Sequence, residues 1–271
     1  PGRFVTLLGF EWTSWIHGHR HVLYFGDHGE ILSSIDPDFE SPQQLWEALR
    51  GEPAMTIAHH SAGGPIATNW DFPPDPELEP VTEITSVHGS SEATDSPGLI
   101  YQPVHGNFVR DVLDRGYRLG FVGSGDGHDG HPGLSHIASP FGGLAAILSE
   151  EATRAGVLVA LKARRVYATN GPRSHLDVTL DGLPMGALVT AADAGSPSSA
   201  RLLQVHVVAP EPLDRLDLVR SGEIVETVPG SGRQELRLEW RVDALTSGGY
   251  LYLRAVQVDG GAAWSSPFFF E

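Results

Sequence analysis

From about residue 175 onward the sequence alternates. The runs LDVTLDG, LLQVHVVA, LDLVRSG, ELRLEWRV and YLYLRAVQV set apolar side chains at every second position, and GSPSS, PEP, PGSG and TSGG between them supply turn residues. A period of two sends successive side chains to opposite faces of a strand, so each run can bury one face and wet the other. Short strands of this kind, regularly interrupted, read as a C-terminal antiparallel β-sandwich. The change of pattern falls near YATNGPRSHL, Tyr167 to Leu176, and divides the chain into residues 1–174 and 175–271.

The first part reads as strands alternating with helices. In SPQQLWEALRG, Ser41 is suited to the N-cap, Pro42 to the first helical position and Gly51 to the terminator. NFVRDVLDRG and TRAGVLVALKARR carry helical apolar spacing, the second ending in a cationic turn that suits the helix dipole. Between these lie the short apolar runs FVTLLGF, AMTIA, VTEITSV, RLGFVGS and LAAIL. Strand-helix alternation of this kind predicts a mostly parallel sheet or barrel.

The ends of these runs carry the chemistry. Glu11 comes after FVTLLGF, His59 and His60 after AMTIA, His88 after VTEITSV, and Asp126 and His128 after RLGFVGS. In a parallel barrel the carboxyl ends of all strands face one way, so residues far apart in the chain would meet in one pocket. The stretch GSGDGHDGHPG, Gly123 to Gly133, then reads either as a glycine-rich surface turn or as part of a metal site. Histidine is concentrated accordingly: eleven of thirteen lie between His17 and His136. His17, His19 and His21 alternate as strand residues would and, with His28, His105, His136 and His175, are read as structural. The chain has no cysteine, so any metal must be held by His, Asp and Glu.

Charge narrows the partners. Thirty-four acidic residues against 18 basic give a net charge of −16, which repels a phosphate backbone and speaks against nucleic acid as a partner. No apolar run approaches the roughly 20 residues that a membrane-spanning helix needs. The chain begins at Pro1, no segment has the pattern of a signal peptide, and the expectation is a soluble protein in a compartment left open.

The stretches GFEWTS, IAHHSAGG, VTEITSVHGSSE, GFVGSGDGH and ALKARRVYATNG resemble the PHP superfamily, named for polymerase and histidinol phosphatase, over about Phe4 to Arg173. They are most similar to a branch with a Glu-Trp-Thr-Ser motif and an appended β-domain. The resemblance implies a distorted seven-stranded (β/α) TIM-like barrel, up to three divalent metals and hydrolysis of small phosphorylated substrates. Glu11 matches the family's metal-bridging glutamate, His59 a histidine that usually precedes Pro-Gly, and Asp126 and His128 the late Asp-x-His pair. His88 stands where the family places a ligand after a Glu-containing strand. The family's early His-x-His motif has no counterpart here and would lie before Pro1, so the barrel expected is a partial one.

Imidazole and carboxylate ligands suit zinc, manganese or iron without choosing among them. Such ions lower the pKa of bound water toward about 7 and neutralise phosphoryl charge, so hydroxide can attack without a serine or cysteine nucleophile. His60, His131 and Arg20 are the residues that could orient a phosphate or protonate a leaving group. A metal-dependent amide or ester hydrolase would use the same ligands. A non-catalytic module would instead keep a degenerate site and bind glycan or protein through its β-domain, where Trp240 and Trp264 read as core or as stacking platforms.

Overall fold

The computed structural model describes residues 2–128, 142–190, 200–243 and 247–271. Among the described residues strand outweighs helix by 40% to 9%, and the strands form three sheets, none of them closed into a barrel. In the first sheet, β1 (Leu8–Ser14) and β2 (Gly18–Tyr24) make an antiparallel hairpin, and β2 pairs antiparallel with β3 (Ala54–His59). Beyond it β4 (Val81–Ser86) runs parallel to β3, the two-residue β5 (Gly89–Ser90) folds back on β4, and β6 (Gly120–Gly123) lies parallel to β4. Hence β1, β3, β4 and β6 all point the same way, with β2 reversed among them.

This overturns the (β/α) barrel. Residues 15–17 alone join β1 to β2, far short of the dozen or more that a parallel crossover needs. Helix α1 (Pro42–Leu49), capped by Ser41 as its sequence indicates, connects two antiparallel strands, and no helix lies between β3 and β4. Among the described helices, α2 (Val109–Asp114) alone sits in a parallel strand-helix-strand connection, from β4 to β6. The next strands turn away: β7 (Leu144–Ile147) and β8 (Val166–Thr169), on either side of α3 (Arg154–Lys162), pair antiparallel with each other and join a different sheet. No described helix is long and apolar enough to cross a membrane.

A four-stranded antiparallel sheet follows, built of β9 (His175–Leu180), β10 (Leu183–Pro184), β12 (Arg201–Val208) and β15 (Glu235–Val242). The eight-stranded sheet contains β11 (Leu188–Val189), β13 (Leu213–Arg220), β14 (Glu223–Pro229), β16 (Tyr250–Gln257), β17 (Ala262–Ser265) and β18 (Phe268–Phe270) together with β7 and β8. It is not confined to residues 175–271, because β8 pairs with β17 through Ala168 and Trp264. The C-terminal sheets therefore do not form a sandwich apart from the first part of the chain.

Period-two patterning explains the layering. Leu176, Val178 and Leu180 of β9 and Leu203, Val205 and Val207 of β12 meet Leu251, Leu253 and Ala255 of β16 in one core. The intervening residues of β16 face the other way, where Tyr250 and Tyr252 pack with Val109, Val112 and Leu113 of α2 and with Phe121 of β6. Strand β16 is thus buried along its whole length, a wall between two cores. Trp264 belongs to the second core and Trp240 to the first, so neither is a free stacking platform.

A buried carboxylate crosses that wall. Glu92, fully buried, accepts hydrogen bonds from Arg110 Nη2 (2.8 Å), Arg254 Nη1 (3.0 Å), Tyr252 Oη (2.6 Å), Trp264 Nε1 (2.6 Å) and Ser96 Oγ (2.8 Å). Arg254 also donates to Asp217 on β13 (3.0 Å). Burial alone would raise the Glu92 pKa, but the Arg254 and Arg110 charges hold it below the usual carboxylate range. Removing one member of such a network leaves charge buried without its partner, which costs about 3–5 kcal/mol. Arg254→Ala is therefore expected to lower the unfolding free energy by that amount, read as a lower urea midpoint at an unchanged m-value. Because the folded-state pKa of Glu92 is depressed, its contribution is present above the unfolded value of about 4.3 and is lost as pH falls below it. Glu92→Gln should flatten the acid limb of the stability profile.

Candidate metal centre

The first sheet carries the centre on one face. Alternation along β1 turns Glu11 and Thr13 to one side and Trp12 to the other, and the hairpin register sets Glu11 opposite His21 and Thr13 opposite His19. His19 is in turn opposite His59, the last residue of β3. His60 follows with positive φ, its backbone N–H donating to Glu83 Oε1 (3.2 Å) on β4. Asp126, also at positive φ, lies three residues past the end of β6, and His88 two past the end of β4.

These residues meet. His59 Nδ1 is 2.7 Å from Glu83 Oε2, and His59 Nε2 is 3.1 Å from Asp126 Oδ1. The second Asp126 oxygen is 2.7 Å from His88 Nε2, and His128 Nε2 is 3.5 Å from Glu11 Oε2. His19 Nδ1 bonds the other Glu11 oxygen, and Ser124 Oγ donates to Glu83 Oε2. The His60 ring packs 4.2 Å from that of His59, 4.7 Å from His19 and 5.3 Å from His88. Three groups bring their ligand atoms within 4.8 Å of one another: Glu11, His59 and His60; His21, His59 and Glu83; and Glu11, Asp126 and His128.

Of the sequence candidates, Glu11, His59, His60, His88, Asp126 and His128 are all in this cluster. His131 lies outside the described residues. Arg20 is not in it. Its place between His19 and His21 turns it to the opposite face of β2, where it is fully buried, bonds Glu79 (2.8 Å) and the His17 carbonyl (3.0 Å), and lies between the Trp12 and Trp46 rings. It cannot reach a phosphate at the cluster. The sequence reading missed His19, His21 and Glu83, although the His-x-His spacing of the first two was the signal, since alternate strand residues share a face.

The electrostatics are those of a cation site. Burial opposes charge on His59, but Glu83 and Asp126 outweigh it and push its pKa up to about 10. A hydrogen bond from His19 is the main cause that lowers Glu11 to about 2. Burial would raise Asp126 and Glu83, yet their histidine neighbours hold both below the carboxylate range. Burial, then the His59 and His19 charges, lower His60 to about 4.

One atom tests whether an ion fits. His59 Nε2 is buried and, although 3.1 Å from Asp126, is out of line for a hydrogen bond to it. Its other nitrogen bonds Glu83, the arrangement by which a carboxylate orients a metal-ligating imidazole. A donor set of imidazole and carboxylate, with no thiolate, fits zinc, manganese or iron. Glu11, His59, Asp126 and His128 would hold the ion, with His60 and His88 beside it.

The sequence profile of the family described as "Protein of unknown function (DUF3604)" matches residues 133–180, which include β7, α3 and β8. An uncharacterised protein of Chlamydia pneumoniae is 27% identical over 297 residues, covering 99% of this chain and 47% of its own length. One of Chlamydia trachomatis serovar D is 28% identical over 301 residues, with the same coverage of both chains. The chain thus spans about half the length of these curated relatives. No solved structure matches it.

A protonated His59 must lose its proton before it can ligate, so metal binding competes with protons. Below pH 10 the apparent affinity for Mn²⁺ or Zn²⁺ should rise by about tenfold per pH unit for that one proton. Calorimetry between pH 6 and 8, in buffers of different ionisation enthalpy, measures both the slope and the proton released.

Proposed function

We propose that this chain carries a divalent-metal-dependent hydrolase centre acting on phosphate esters. The observation that carries the reading is the buried His59, fixed through Nδ1 by Glu83 and presenting an unaligned Nε2 toward Asp126, among ligands on or just beyond three strands that point the same way. The motif resemblance to the PHP superfamily supports the same reaction class. When bound, divalent ions acidify a water toward neutral pH and neutralise charge on phosphoryl oxygens.

The chain's own residues supply position. Glu83 holds His59 through one oxygen and the His60 amide through the other, so two consecutive residues at the end of β3 share one anchor. The His60 ring, enclosed by three other imidazoles, is placed to donate a hydrogen bond to a phosphoryl oxygen. His88, 44% exposed and tied to Asp126, stands at the mouth, where a leaving group would depart.

Chelation should abolish hydrolysis of a phosphate ester and Mn²⁺ or Zn²⁺ restore it. Asp126→Ala and His59→Ala should lower kcat by orders of magnitude in folded protein, whereas a turn aspartate would cost only about 0.5–3 kcal/mol of stability and leave the rate per folded molecule alone. Glu83→Gln, which removes the orienting carboxylate, should cost about 10–100-fold in metal affinity or activity. Metal content by mass spectrometry and rates on phosphate mono-, di- and triesters beside amides and carboxylic esters check this. A metal-loaded protein that cleaves only amides or carboxylic esters would replace the phosphoester reading.

A further inference from the structure

Beside the cluster is a cavity of about 270 Å³. Its floor is formed by His19, His60 and His88, the imidazoles at the edge of the metal centre, and its walls by residues 63–66 and Tyr101. The walls are two chain segments that each leave the centre directly. One runs on from His60, and the other is hydrogen-bonded to the His88 carbonyl through the Tyr101 N–H (2.9 Å).

The segments are locked together. Gly64 N–H donates to the Gln102 carbonyl (2.9 Å), Val104 N–H donates to the Ala62 carbonyl (2.8 Å), and Gly63 bridges Pro103. The backbones approach so closely that a Cβ on Gly64 would stand 2.8 Å from the Gln102 oxygen, which explains a glycine there. Tyr101, 61% exposed, is held at its hydroxyl by Gln102 Nε2 (2.9 Å). The cavity is therefore preformed, as small-molecule sites usually are.

Its chemistry is selective. Among the described residues the lining contains neither lysine nor arginine, and the sequence 129–141 that follows His128 has neither. The nearest arginine on the first hairpin, Arg20, is buried on the other face of the sheet. Pro65, Ile66 and the Tyr101 ring offer apolar surface, and two glycines offer backbone without side chains. A second phosphate or a carboxylate entering here would lose water and find only the imidazoles of the floor, with no lysine or arginine among the described lining residues, in a chain of net charge −16. A cavity of about 150 Å³ is enough for one benzene ring, so this one takes a single substituted ring.

Resting on the phosphoester reading above, we infer that the cavity receives the organic group of the substrate and that this group is an uncharged, ring-sized, largely apolar moiety, an aryl phosphate monoester being the simplest representative. The phosphate faces the metal centre across His60 and His88, and the ring lies between Ile66 and Tyr101.

The test uses the Mn²⁺-loaded chain, with binding read separately from turnover. Calorimetry compares phenylphosphonate with methylphosphonate and phosphonoacetate, and rates compare phenyl phosphate with methyl phosphate and pyrophosphate. Phenylphosphonate is expected to bind at least tenfold more tightly than either alternative, and phenyl phosphate to have the highest kcat/KM. Tyr101→Ala and Ile66→Asp should each shrink the phenyl-to-methyl ratio toward one, with metal content retained as the control for folding. Equal binding of phenyl- and methylphosphonate by a chain that still hydrolyses methyl phosphate overturns this inference and leaves the phosphoester reading standing, as does a ratio unmoved by both variants. A metal-loaded chain that cleaves no phosphate ester overturns that reading, and this inference with it.

Discussion

The molecule depends on a carboxylate with no access to water. Glu92 draws its donors from the segment just beyond β5, from α2, and from the two strands β16 and β17, so three layers meet at two oxygens. Isolated, such a group would be far too costly to bury, and it is tolerated because five donors satisfy it. Its place in the chain matters as much as its energy. Glu92 follows His88 by four residues, so the network that holds the eight-stranded sheet against the first sheet also fixes the exit of the segment bearing His88.

The centre obeys a different logic, that of strands sharing one direction. Glu11, His59 and Asp126 come from β1, β3 and the end of β6, which run alike, and the reversed β2 inserts His19 and His21 into the same face without moving the others. Behind that face Arg20 is paired with Glu79 between two tryptophans. His19, Arg20 and His21 of β2 therefore serve the centre and the support beneath it by turns. Glu83 is the pivot, because one carboxylate binds His59, the His60 amide and Ser124 together.

How far this could be read from the chain differs residue by residue. Glu11, His59, His88, Asp126 and His128 stood out because each comes after an apolar run; for His59, His88, Asp126 and His128 the buried runs do end together, whereas Glu11 reaches the centre from inside β1, whose preceding run is largely exposed. The barrel did not follow. An apolar run reports that a strand is buried but says nothing about the direction of its partner, and the GHRHVLY strand, with histidines on one face, lacks the apolar run that would have announced a hairpin. Glu83 was hidden for a related reason. Inside VTEITSV it passes for a polar strand residue, and only the packing around it reveals a fully buried anion.

The pairing of β8 with β17 has a consequence for how the chain comes into being. Ala168 finds its partner in Trp264, so one side of β8 carries unpaired backbone until β17, some 95 residues later, has left the ribosome. Until then the β7 and β8 pair presents an open edge, of the kind that recruits strands from other molecules. Nascent chains that pause between β8 and β17 would be the ones most exposed to self-association, and arrival of β17 would end that exposure.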